Sequence, residues 1–298
     1  LTEGDFAKSH MPSGVIHFMR VVIRDVGRMG LRLALGAAAL YGLACGVLYT
    51  FQAELVYAPH TAIVATPDEV GLAYREAFFT TADGVRLTGW HLPLEEARGT
   101  VLFCHGNAGN ISHLMPDARA MHALKLSVFL FDYRGYGTSE GEPTEMGTHL
   151  DAAAAWAYLV AEMGVDPARI IVVGRSLGGP IAARLALQQH PAALFLEATF
   201  TSLPEVGQEI YPFLPVEWLA RFQYTTLEYL RMVECPVLVS HSRDDGLIPF
   251  AHGQRLYRAA REPKAFTQLR GRHIAAFREQ ADVYRAGVED FLVNTLGW

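Results

Sequence analysis

Ser176 stands between Gly174 and Gly178, where a β-branched run gives way to an Ala- and Leu-rich one. Ile170-Ile171-Val172-Val173 has the pattern of a short buried parallel strand, and Ile181 to Gln189 that of a helix. A Gly-x-Ser-x-Gly turn joining the two is the pattern of a nucleophile elbow. The serine backbone is strained there, and the glycines leave room for the adjoining strand and helix. Such a turn lifts the hydroxyl clear of the sheet and puts a helix N-terminus behind it, which favours negative charge developing at the site. The chemistry this suits is nucleophilic attack on a carbonyl. The structural alternative is a tight β-α turn with Ser176 as an N-cap, and the pentapeptide alone does not choose.

A serine hydroxyl needs a base to take its proton and a carboxylate to orient that base. With an elbow of this type the chain order is serine, acid, histidine. Among the later histidines, His190 is at the far end of the elbow helix, His241 precedes every suitable acid, and His252 lies on or beside a helix. His273 instead follows the strand-like Ala265 to Leu269 and the turn Arg270-Gly271-Arg272, from which a base reaches over a sheet edge. The acid belongs after the preceding strand, Val237 to Ser240, where Asp244 and Asp245 compete. The position of Pro249, at the start of the next helix, favours Asp245; Asp244 is then a turn residue bonding its own loop.

Acyl transfer also needs donors for an oxyanion. The backbone N–H of Leu177 supplies one, and the loop His105-Gly106-Asn107-Ala108-Gly109-Asn110 supplies the other through the N–H of Asn107, with His105 a structural support. Asp132 and Glu197, at strand ends, are taken as structural. No histidine-rich helix or paired-cysteine motif offers a metal site, and no glycine-rich phosphate loop with its lysine is present, so no cofactor is expected.

The elements that must position these residues alternate between strand and helix. A hairpin of Glu76 to Ala82 and Val85 to Leu92, with a two-residue primed turn at Asp83-Gly84, opens the domain. The strands Thr100 to Cys104, Ser127 to Phe131, Ile170 to Val173, Ala193 to Leu196, Val237 to Ser240 and Ala265 to Leu269 follow. Between and after them come helices at Ser112 to Leu124, Glu145 to Met163, Ile181 to Gln189, Gln254 to Arg261 and Phe277 to Leu296. This order implies an α/β fold with a mostly parallel sheet covered on both faces, its ligands at the carboxyl ends of the strands. The 298 residues, 51% hydrophobic and 19% charged, suffice for a large core; the net charge of −6 and the lack of a basic aromatic patch argue against nucleic acid. Cys45, Cys104 and Cys235 are too few for a disulfide framework.

Residues 1–32 form a basic segment in which Arg20, Arg24, Arg28 and Arg32 make one helical stripe; Ser9-His10-Met11 resembles the junction of a cloning remnant. Residues 33–53 carry no charge over a bilayer-spanning length, too long for a usual signal core and too uniformly apolar for a core helix. A retained transmembrane helix is expected, with the N-terminus cytoplasmic and the rest of the chain extracytoplasmic (periplasmic in a bacterium). Ala38, Gly42 and Gly46 share a small-residue face suited to a homodimer contact. Residues 54–74 are expected as a linker and 75–298 as the catalytic domain.

From about Phe51 onward the sequence resembles the α/β-hydrolase superfamily, in the membrane-anchored branch of bud-emergence-related proteins, α/β-hydrolase-domain depalmitoylases and lysolipid lipases. The resemblance is carried by His105 to Asn110, Asp132-Tyr133-Arg134-Gly135-Tyr136-Gly137, Gly174 to Gly179 and Thr199-Phe200-Thr201-Ser202, in order and spacing. It implies an α/β-hydrolase fold, a triad of Ser176, Asp245 and His273, and Asn107 and Leu177 as oxyanion donors. Ser242 departs from the family, which often has glycine there. A small helical cap is expected at about 200–234, with Tyr211, Phe213, Leu214 and Trp218 lining an acyl pocket or packing on the sheet. The expected activity is cleavage of an ester or thioester with a hydrophobic acyl group beside a bilayer; the alternatives are a peptidase of the same fold and a non-catalytic scaffold.

Overall fold

Strands that are apolar at consecutive positions must be covered on both faces, and alternation with helices covers them. The computed structural model describes residues 13–298, in two units, one ending at Phe51 and the other running from Gln52 to Trp298.

The first unit is a 38-residue helix, α1 (Ser13–Thr50). An 18-residue window of it has a mean hydropathy of 1.8, and side chains such as Phe18, Leu33 and Leu40 stand exposed. At about 1.5 Å per residue it exceeds the roughly 30 Å of a bilayer core. It is long and apolar enough to cross a membrane. Its bounds differ from the expected 33–53: the helix takes in Arg20, Arg24, Arg28 and Arg32 upstream and stops at Thr50. The Ser9-His10-Met11 junction lies outside the described residues.

The second unit begins with α2 (Gln52–Val56), β1 (Ala58–Pro59), β2 (Arg75–Thr80), β3 (Arg86–Leu92), β4 (Gly99–Cys104) and β5 (Ala108–Gly109). Next come α3 (Met115–Ala123), β6 (Leu126–Phe131), α4 (Glu145–Ala157), β7 (Ile170–Arg175), α5 (Gly178–Gln189) and β8 (Ala193–Glu197). The chain closes with α6 (Leu203–Ile210), α7 (Val216–Leu219), α8 (Thr226–Leu230), β9 (Val237–Ser242), α9 (Phe250–Ala259), β10 (Lys264–Leu269), α10 (Ala275–Glu279) and α11 (Ala281–Asn294). Eight strands form one sheet in the order β10-β9-β8-β7-β4-β6-β3-β2. β3 runs antiparallel to both β2 and β6, and the other pairs are parallel. Alternate residues of each strand feed opposite cores: Leu102, Val172 and Leu194 enter one, Val101, Ile171 and Phe195 the other.

The structure corrects the sequence reading at several elements. The hairpin closes with a three-residue loop, because Gly84 N–H bonds to Thr81 O and Thr81 N–H to Val85 O with Gly84 at φ 85°. Asp-Gly also serves a type I turn followed by a left-handed glycine, which is the geometry adopted. The helix expected at 112–124 starts as a 3-10 turn (Ile111–Leu114), and the one at 145–163 ends in a π turn (Tyr158–Glu162). The one at 277–296 is divided between α10 and α11. The stretch 54–74 is no free linker. Tyr57 is buried with its hydroxyl 2.8 Å from that of Tyr224, and β1 pairs with β5.

Candidate active site

At the end of β7 the backbone turns at Ser176, whose φ of 54° is uncommon for a residue with a side chain. The turn survives because its neighbours are glycine. A Cβ on Gly178 would lie 2.0 Å from the carbonyl oxygen of Cys104, and one on Gly174 would lie 2.4 Å from the carbonyl of Gly178. Two bonds from β8 and its end clamp the strained residue: Ser176 N–H donates to Glu197 O at 2.9 Å, and Thr199 Oγ donates to Ser176 O at 2.7 Å. The α5 N-terminus stands directly behind.

Beneath the elbow, Arg175 is buried between the rings of Phe103 and Phe277. Its guanidinium meets Asp117 at 2.6 Å and Glu197 at 2.7 Å, and Tyr284 donates to Glu197. Burial pulls the Arg175 pKa down, but Asp117 and Glu197 outweigh it and leave the group firmly charged. Glu197 is thus held within a buried ion-pair cluster, whose other members, Arg175, Asp117 and Tyr284, the sequence did not single out.

The structure brings Ser176, Asp245 and His273 together. Ser176 Oγ is 3.2 Å from His273 Nε2, and His273 Nδ1 is 2.7 Å from Asp245 Oδ2. Asp245 Oδ1 accepts the N–H groups of Leu247 at 2.9 Å and Ile248 at 3.0 Å. Burial pushes the Asp245 carboxyl up, yet the bond and charge of His273 and these two amides overcome it, leaving the pKa below the ordinary value. Asp244 turns the other way, accepting from Gly271 N–H at 3.2 Å. Ser242 accounts for its departure from glycine: its hydroxyl donates to Gly271 O and accepts from Asp244 N–H at 3.2 Å. One side chain therefore pins the acid loop to the histidine loop. Of the other candidate histidines, His241 is beside the acid, with Nε2 3.6 Å from Asp245 Oδ2, but is bound to Ile248 O at 3.0 Å; His252 Nδ1 lies 2.7 Å from Thr201 Oγ, and His190 ends α5.

The loop after β4 approaches the nucleophile closely, since a Cβ on Gly106 would be 3.6 Å from that of Ser176. Three bonds fix its peptide planes. Tyr133 OH donates to His105 O at 3.1 Å, His105 Nδ1 lies 2.7 Å from Gly106 O, and Tyr136 OH donates to Asn107 O at 2.8 Å. The Gly106 carbonyl and the Asn107 N–H belong to one planar trans peptide and point in opposite directions. Turning the carbonyl toward His105 therefore aims the amide away from it. Burial lowers the His105 pKa to about 4, so the ring is neutral near neutral pH and its Nδ1–H is the donor. Asp132, also buried, is raised to about 7 and accepts Ile111 N–H at 2.9 Å.

The expected pocket residues behave differently. Trp218 is 88% exposed, Phe213 69% and Tyr211 48%, and Leu214 is partly buried. Exposed to this degree, the three aromatic rings are not packed on the sheet. A second Gly-x-Ser-x-Gly, Gly137 to Gly141, lies in a loop where Ser139 Oγ donates to Asp132 O at 2.9 Å. It lacks the strand-turn-helix setting.

An eight-stranded, mostly parallel sheet with a serine elbow at the end of β7 and an acid and a histidine after β9 and β10 defines the α/β-hydrolase fold. The family described as serine aminopeptidase, S33, matches residues 95–232. A protein of Mycobacterium tuberculosis is 42% identical over 80% of this chain and 87% of its own length. The α/β-hydrolase domain-containing protein WAV2 of Arabidopsis thaliana is 35% identical over 84% of this chain and 89% of its own. Among solved structures, an esterase of Pyrococcus furiosus superposes with a TM-score of 0.68 at 22% identity, over 81% of this chain and 98% of its own. The chain belongs to the α/β-hydrolase superfamily, in the branch that includes WAV2 and the bem46 protein of Schizosaccharomyces pombe. It is a hydrolase of the α/β fold.

Proposed function

We propose that this hydrolase cleaves carboxylic esters or thioesters, of lipid-like or acylated molecules, through an acyl-enzyme on Ser176. The observation that carries the reading is the relay from Ser176 Oγ through both nitrogens of His273 to Asp245, at 3.2 Å and 2.7 Å. His273 takes the hydroxyl proton as Ser176 attacks the carbonyl carbon, and Asp245 holds the ring in the required tautomer. The Asn107 and Leu177 N–H groups receive the oxyanion. His273 then protonates the leaving alcohol or thiol, and a water activated by the same ring releases the acid. The apolar α1 supports a membrane anchor and hence substrates met at a bilayer, with the arginine stripe cytoplasmic and the hydrolase unit across the membrane.

A fluorophosphonate probe should label the wild type and not Ser176→Ala; equal labelling of the two overturns the assignment. The serine aminopeptidase description of the matching family favours a second reading, a peptidase. An ester and an amide of the same acyl group separate the two, and faster turnover of the amide would select the peptidase.

A further inference from the structure

We propose that the outer face of the cap, from the end of α6 through α7, is a lipid-contacting surface that seats in the headgroup region of the bilayer holding α1. This rests on the membrane-anchor reading and extends it from the helix to the hydrolase unit. The charge pattern of α6 comes first. Its two glutamates are turned toward α9: Glu205 takes Arg255 at 2.6 Å, and Glu209 faces His252 Nε2 at 3.4 Å. Leu203 and Val206 pack on the core, but from the end of α6 onward the apolar side chains stand outward. Ile210 is 43% exposed, Tyr211 48%, Phe213 69% and Trp218 88%. In the ten-residue stretch from Ile210 to Leu219, Glu217 is the single charged residue. A contiguous exposed apolar patch of this kind marks an interaction site.

The presentation is built rather than frayed. Gln208 braces the intervening loop from both directions, accepting from Val216 N–H at 3.1 Å and donating to Pro212 O at 3.4 Å. The occupant follows from chain connectivity. α1 ends at Thr50, and Gln52, two residues on, is held by the turn that carries Trp218. Its amide donates to Leu219 O at 2.6 Å, and its carbonyl accepts from Arg221 N–H at 2.9 Å. Two residues of chain reach about 7 Å at most. Chain connectivity thus tethers the α7 turn close to the residue at which α1 ends, and in the anchor reading that end lies at the membrane surface. Tryptophan and tyrosine, apolar bodies with one polar tip, are the residues suited to that depth.

The test uses the full chain in phosphatidylcholine vesicles brominated near the top of one acyl chain, with tryptophan fluorescence as the readout. Of the four tryptophans, Trp90 and Trp156 are buried in the hydrolase cores and Trp298 is partly buried, so Trp218 is the one open to bromine. Bromolipid should quench the wild type, and Trp218→Phe, which keeps an aromatic ring, should lose at least half of that quenching. Equal quenching in the two proteins overturns the docking. So does a blue-shifted Trp218 emission insensitive to bromolipid, which would mean that a second protein copy covers the face. Flotation with the vesicles after a carbonate wash reads the anchor separately. Protein that floats but shows no Trp218 quenching refutes docking alone, whereas protein that washes off refutes both.

Discussion

Asp245→Asn isolates the role of the acid with almost no change of shape. In the wild type Asp245 Oδ1 holds the amides of Leu247 and Ile248, and Oδ2 faces His273 Nδ1 at 2.7 Å. Asparagine keeps those two amides satisfied only if its oxygen takes the Oδ1 place. Its NH2 group then points at His273 Nδ1, and a donor there makes Nδ1 an acceptor. The ring proton moves to Nε2, the atom 3.2 Å from Ser176 Oγ, and the base is lost. A frozen wrong tautomer of this kind costs about 10⁴-fold in kcat, roughly 5 kcal/mol in barrier. Asp244→Asn is the matched control: Asp244 accepts Gly271 N–H on Oδ2 and Arg270 on Oδ1, and an asparagine whose oxygen keeps Gly271 N–H gives up only the exposed Arg270 contact, so a loss below about tenfold is expected. The assay is kcat/KM on a short-chain nitrophenyl ester for both variants, with thermal melts to show that each is folded. The melts carry their own sign. A carboxyl whose folded pKa is lowered stabilises the protein above its unfolded pKa and loses that contribution as pH falls through the folded value. The wild-type advantage in Tm over Asp245→Asn should therefore shrink in acid below the ordinary carboxylate range. An Asp245→Asn enzyme within tenfold of wild type, or an Asp244→Asn enzyme that is the more damaged, would refute the relay.

Ser242→Gly restores the residue common in the family and removes the bonds to Gly271 O and Asp244 N–H. It should cost about 1–2 kcal/mol in stability by thermal or urea unfolding and lower kcat/KM several-fold; an unchanged melt would mean that the two loops are held by something else. Asp132→Asn tests the buried carboxyl raised to about 7. With a folded pKa above the unfolded one, the native state binds the extra proton, so this group's contribution to stability falls as pH rises toward neutrality. The variant lacks that loss, and its Tm relative to wild type should climb from about pH 5 to about pH 8; a pH-independent difference would be inconsistent with a buried acid that titrates there.

What the sequence made legible was local pattern plus chain order. Ser176 had a β-branched run before it and glycines around it, and Asp245 and His273 followed in the order that the sheet imposes. The pentapeptide itself carried little, since Gly137 to Gly141 has the same spacing and lies in a loop. Contacts between residues distant in sequence were not legible. Arg175, Asp117 and Glu197 form one buried cluster, yet no periodicity links a strand end to a helix start 58 positions earlier in the chain. β1 is two residues long, too short for any alternation to mark it, so the stretch around it looked like linker. The cap aromatics were visible as apolar residues, but composition cannot say whether an apolar side chain faces a core, a cavity or the outside. That depends on which partners Glu205 and Glu209 find in the folded chain.

The short strand β1 changes what the start of the hydrolase unit does. Ala58 N–H donates to Asn107 O at 3.0 Å, joining Tyr136 OH on the same carbonyl, and Asn110 Nδ2 donates to His60 O at 2.9 Å and Ala62 O at 2.8 Å. The Asn107 peptide is thus fixed on one side by residues 58–62 and on the other by His105 gripping Gly106 O. An oxyanion donor works through preorganisation: an amide already aimed needs no reorientation when charge develops, and one free to rotate would lose that advantage. In the proposed mechanism part of the aiming would come from the segment that follows α2, whose first residue, Gln52, also holds the cap turn. One continuous stretch of backbone, Gln52 to Ala62, therefore connects the cap to the loop beside Ser176. These eleven residues run from the cap turn to the loop beside Ser176, whereas Asp245 and His273 are held by a separate set of contacts, from Leu247, Ile248, Ser242 and Gly271.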